Sequence, residues 1–141
     1  MADGAFHDAM KLFFEGAYGD GSGWDGQIHA LYLFDTADDT VVFSTDNFLD
    51  DIVAAALEEG PVTIGTRTVA ADAIIDGDDV VFVGATGDVC EGLLCVNRGP
   101  GTDATRNLFF YIDSATGLPV TLNGGNVTVT WDNGANKIAK L

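Results

Sequence analysis

From Ile28 onward the chain is cut into at least six runs of strand length, each closed by turn residues, and this rhythm limits the fold more than any other feature. Ile28–Phe34 (IHALYLF) is a continuous apolar run, as expected for a strand covered on both faces. Val62, Ile64 and Thr66 alternate, Val80–Val83 (VVFV) follows an acidic turn at Asp76–Asp79, and Val89–Val96 comes next. Leu108–Ile112 (LFFYI) is rich in aromatics and stops at Asp113-Ser114. Val127, Val129 and Trp131 alternate with Thr128, Thr130 and Asp132, the period of a strand with one buried face. Asn123-Gly124-Gly125 and Asn133-Gly134 supply positive-φ positions for tight turns. The last third therefore predicts a β-hairpin followed by a strand that runs to the C-terminus.

Helical periodicity is confined to two places. Phe6, Met10, Phe13 and Phe14 fall on one face of a helix starting at Asp3 as N-cap and stopping at Gly16. Asn47–Leu57 (NFLDDIVAAAL) predicts a second, short helix ended by Gly60-Pro61. A short strand at Val41–Phe43 precedes it. The expected fold class is mainly β: an antiparallel β-sandwich or jelly-roll-like domain with an N-terminal helix and one short additional helix. At 141 residues this is one domain, with the helix in 1–16 and the sandwich in 27–141.

The charge balance excludes some functions. Twenty-two acids, eighteen of them Asp, face six bases, for a net charge of −16. Such a surface has nothing with which to displace counterions from phosphates, so nucleic acid is not an expected partner. No apolar run approaches the ~20 residues of a membrane span, and Met1–Lys11 lacks the layout of a secretory signal, so a soluble protein with no membrane partner is expected. Abundant Asp with little Lys points to a halophilic or saline setting, in which screening removes the penalty of self-repulsion.

Site chemistry is sparse. Gly19–Gly23 (GDGSG) lacks the Lys-Ser/Thr of a phosphate loop and the spaced carboxylates of a calcium loop. His29 sits inside a strand and His7 on the first helix, neither with a nucleophile motif beside it. The adjacent pairs Asp38-Asp39, Asp50-Asp51 and Asp78-Asp79 suit turns better than a catalytic cleft. Cys90 and Cys95 form no CxxC motif and read as buried free thiols. No catalytic, cofactor-binding or metal-ligating residue is expected, and no enzyme.

Trp24-Asp25, IHALYLFDTADDT, NFLDDI with its AAA, and the stretch from FFYID through TGLPVTLNGG to TWDNGANKIAKL together resemble a family of small structural proteins of tailed bacterial and archaeal viruses. The likeness spans nearly the whole chain and is most specific from Phe109 to Leu141. The resemblance implies a non-enzymatic capsid decoration, or cement, protein on the outer surface of the virion head. Its partners would be the major capsid protein and itself, as a dimer or trimer. Candidate interface residues are Phe6, Met10, Phe13 and Trp24, with Lys137, Ile138, Lys140 and Leu141 at the C-terminal end. Alternatives are a tail-associated structural protein (a tail-tip or fibre module) or a module binding host-surface carbohydrate.

If the acidity is an adaptation to salt, the melting temperature should rise as salt increases from low to molar concentration. A flat or falling melting temperature over that range would refute the saline reading.

Overall fold

The computed structural model describes residues 3–6, 23–70, 74–135 and 137–140. Its centre is β2, His29–Phe34, in which all six residues are buried. A run with no polar face needs cover on both sides and neighbours on both edges, and β2 has them. It lies between β8 (Gly92–Asn97) and β3 (Leu57–Thr63) in a five-stranded sheet completed by β9 (Leu108–Ile112) and β1 (Gly4–Ala5), in the order β1-β9-β8-β2-β3. Every pairing is antiparallel. The β2–β8 register runs without a break from His29↔Asn97 to Phe34↔Gly92. On the other side, β3 is irregular, with register shifts around Leu33. It is an edge strand, and it carries Pro61, which has no N–H to give a further neighbour. Gly60, at φ +117°, lies so close to β2 that a Cβ there would stand 2.5 Å from the Leu31 carbonyl oxygen.

A second layer is built from two distant segments running antiparallel. β5 (Ile74–Asp76), β6 (Val80–Phe82) and β7 (Val89–Cys90) pair in turn with β12 (Ala139–Lys140), β11 (Val127–Val129) and β10 (Val120–Thr121). Loop contacts bridge the gaps between these short ladders. Ala85 N–H donates to the Gly125 carbonyl at 2.9 Å, and Gly124 N–H to the Ala85 carbonyl at 2.8 Å. Trp131 gives its backbone N–H to the Asp79 carboxylate at 2.9 Å and its indole N–H to the Asp78 carbonyl at 3.0 Å. β4 (Thr68–Ala70) covers the free edge of β5.

Aromatic contacts join the layers. The Trp131 ring meets Phe110 of β9 edge-on at 6.4 Å. Trp24 stacks on Phe109 at 5.6 Å and donates its indole N–H to the Asp76 carbonyl at 2.9 Å. One continuous apolar cluster results, and the fold is mainly β, antiparallel and sandwich-like.

Several expected elements take other forms. Asp3 caps no helix: Gly4–Ala5 is a strand on β9, and Phe6 N–H continues the ladder to the Phe109 carbonyl at 3.1 Å. The rest of the expected N-terminal helix and the glycine loop lie largely in 7–22, outside the described residues. The expected helix at Asn47–Leu57 is two 3-10 turns, Leu49–Asp51 and Ala54–Ala56, and Leu57 already belongs to β3. Carboxylates decide this: Asp51 accepts the N–H groups of Asn47 and Phe48, and Asp39 that of Val53. Val41–Phe43 is not a strand, because Asp46 takes the Val42 N–H and the chain turns at Phe43–Thr45. The alternating run from Val62 breaks after Thr63, and β4 starts afresh at Thr68. Val89–Val96 divides at Glu91 into β7 and β8, which join different sheets, with both cysteines buried and free as expected. The expected C-terminal hairpin is absent: β9 is held by β1 and β8, and the later strands pair with β5–β7.

Leu31→Ala should cost about 3 kcal/mol, and Trp131→Ala about as much, because each empties a buried site. Denaturant unfolding checks both. A loss under about 1 kcal/mol for Trp131→Ala would show that the second layer is not docked through this ring.

Candidate functional site

The acidic residues are mainly loop clasps. Asp3 accepts the backbone N–H groups of Asp113 and Ser114 at 2.7 and 3.0 Å, and the Ser114 hydroxyl as well. Burial pushes the Asp3 carboxyl upward, but these hydrogen bonds outweigh it and hold the group below its ordinary range. Glu91 takes both the N–H (2.9 Å) and the hydroxyl (3.1 Å) of Thr36. Glu59 takes the Thr86 N–H at 2.8 Å, and Asp78 the Thr66 hydroxyl at 2.8 Å. Of the adjacent pairs singled out in the sequence, Asp39, Asp51, Asp78 and Asp79 are all engaged this way.

Two of these clasps frame a pocket of about 510 Å³ at the end of β9. Tyr111, Glu91 and Asp113 are among the residues that line it. Thr36, Thr40 and Ser114 add hydroxyls, and Val41, Leu118 and Pro119 an apolar side. The Tyr111 ring is fixed by an edge-on contact with Phe34 at 5.5 Å and lies over Gly92, where any Cβ would overlap it. Its hydroxyl is buried and has no hydrogen-bond partner among the described residues. Burial, then Asp113, Glu91 and Asp3, push this phenol up to about 12, so it keeps its proton at neutral pH.

His29 cannot serve as a surface base. It is buried against Trp24, ring centroids 4.4 Å apart, and against Phe109 at 5.3 Å. Burial, reinforced by Arg67, lowers its pKa to about 3 despite hydrogen bonds to the backbone of Gln27 and Trp24. Asp35, Glu58 and Asp88 bring carboxylate oxygens within 4.8 Å of one another, a grouping that sequence spacing did not reveal. Within it Glu58 accepts the Asp88 N–H at 3.1 Å, and Asp35 the Ala37 N–H at 2.7 Å.

The expected interface residues do not form one surface. Phe6 and Trp24 are fully buried in the protein's own core, which corrects their assignment as contacts for a partner. Ile138 packs partly buried against that core. Lys137 lies 3.7 Å from the Asp76 carboxylate and donates to the Asn133 carbonyl at 3.4 Å, so its ammonium has partners within the chain while remaining one-third exposed. Lys140 is placed by the backbone pairing of β12 with Ile74. Met10, Phe13 and Leu141 lie outside the described residues. Tyr111 was legible only as a core strand residue; the polar side chain within LFFYI was the one hint of more.

No family model and no curated protein matches the chain.

His29 makes stability pH-dependent in a defined direction. Its folded pKa of about 3 lies below the ordinary 6.5, so between these values the unfolded chain binds the extra proton. Its contribution is complete above pH 6.5 and is lost as pH falls toward 3, at up to about 1.4 kcal/mol per pH unit. Relief of carboxylate repulsion acts oppositely, so the test is the difference between the protein and His29→Gln. A difference independent of pH between 7 and 4 would refute a neutral, buried His29.

Proposed function

We propose that this is a non-enzymatic virion structural protein, a capsid decoration protein that sits on the outer head surface and stabilises contacts between major capsid protein subunits. The observation that carries the reading is how the carboxylates are used. Many of the carboxylates that could act as acids, bases or ligands instead accept backbone N–H groups and hold loops in place. A domain of that kind suits a mechanical role: it resists deformation and presents fixed loops to a neighbour. The family resemblance supplies the setting, and the charge of −16 supports an exterior position away from packaged DNA.

A cement protein works by adding interface that must break before the shell opens. Among the described residues β1 and β3 are the edges of the main sheet, and we place such contacts there and on the loops around them. Burial of Phe6 and Trp24 moves the expected contact away from the apolar anchors suggested by the sequence and toward polar loop surfaces.

Quantitative gels of purified particles test the assignment. Copy number on the scale of the capsid subunits is expected, as is earlier rupture on heating or osmotic shock of heads lacking the protein. A copy number on the scale of tail components, with intact heads and failed tails in its absence, would overturn it.

A further inference from the structure

We propose that the open edge of β11 is a docking site for an extended polypeptide segment of a partner, which adds a strand to the second layer. The starting observation is an asymmetry across one ladder. Val127 stands opposite Phe82 and Val129 opposite Val80, so the four side chains share one face. Phe82 and Val80 are 1% and 2% exposed, whereas Val127 and Val129 are only partly buried against the same core. β11 has β6 on one side and, among the described residues, no strand on the other. In an antiparallel ladder only alternate residues bond a given neighbour, so the remaining N–H and C=O groups of β11 face that open edge.

A groove of about 310 Å³ runs along it. Residues 126–130 form one wall and 115–118 the other, and no residue of β6 lines it, which puts it on the side away from β6. Leu118 and Val120 are left partly exposed here as well. The main sheet is five strands wide and the second layer at β11 only two, so the broad face is wider than its cover.

The surroundings select the occupant. A row of backbone donors and acceptors is satisfied by another backbone, whereas a small apolar molecule would leave it unpaired. No charged side chain lines the groove, so the segment is uncharged where it lies there, with apolar residues at alternate positions beside Val127 and Val129. The rest of the chain, at −16, favours lysine or arginine over acids in the flanks. The same charge opposes a second copy of this chain, whose own β11 is set back behind its 115–118 wall. None of this depends on the capsid assignment.

Titration of the full chain at moderate salt, followed by amide chemical shifts, tests this with a blocked octapeptide of alternating valine and threonine ending in lysines. Saturable shifts at Thr116, Gly117 and 127–130 are expected, with cross-strand Overhauser contacts between peptide and β11. Two versions N-methylated at alternate residues separate backbone pairing from apolar contact. The one blocked on the edge facing β11 should bind about tenfold more weakly than the one blocked on the other edge. Glutamate in place of the terminal lysines should weaken binding. Thr116→Arg, at an exposed position of the wall, should keep the melting temperature and lower affinity about tenfold. No saturation at millimolar peptide, equal affinity of the two methylated versions, or wild-type affinity in Thr116→Arg would overturn the proposal. So would the same shifts produced by decanoate, which would make this a small-molecule site, or by a concentration-dependent dimer, which would make it a self-contact.

Discussion

The unbroken pairing of β2 with β8 is the constraint on which the remaining structure depends. Both strands are buried along their full length, so every backbone polar group in them must find its partner in the sheet. Their faces then demand cover. β1, β9 and β3 extend the sheet sideways, and the layer formed by 74–90 with 120–140 packs against it through Trp131 and Trp24. Small errors are not tolerated in such a pair, because a one-residue slip would exchange the two faces of the sheet.

Outside that pair, regular ladders are short, and side-chain carboxylates take over. A carboxylate accepting an amide N–H makes a charge-assisted bond, roughly twice as strong as a neutral one. Asp39, Asp46, Asp51 and Asp79 each hold a stretch of chain that has no strand or helix to hold it. The high Asp content therefore has an internal role besides its effect on the surface. Each such bond also gives its negative charge a local positive dipole, which offsets part of the repulsion that the net charge imposes.

Where the chain was legible, one run of residues determined the outcome. Ile28–Phe34 and Leu108–Ile112 are predominantly apolar, His29 and the tyrosine hydroxyls apart, and form strands almost as read. Asn47–Leu57 misled because Phe48, Leu49, Ile52, Val53 and Ala56 fit a helical stripe, yet two 3-10 turns bury Leu49, Ile52 and Ala56 equally well. The contact that decides between them comes from Asp39, which no local pattern marks as a partner of Val53. The same holds for the pocket. Tyr111, Gly92 and Glu91 meet only because β8 and β9 are neighbours, and an unpaired hydroxyl is a property of the assembled surroundings. Strand identity is local information, whereas partner choice is not.

The pairing of 74–90 with 120–140 bears on how the chain reaches its fold during synthesis. β5, β6 and β7 leave the ribosome before the strands that will cover them exist. Until those follow, their edges and the apolar side chains Ile75, Val80 and Phe82 stand open to other chains. Contacts between such distant segments also slow the search for the native state. A dense negative charge keeps nascent copies apart through that interval, so the composition that shapes the finished surface also protects the unfinished one.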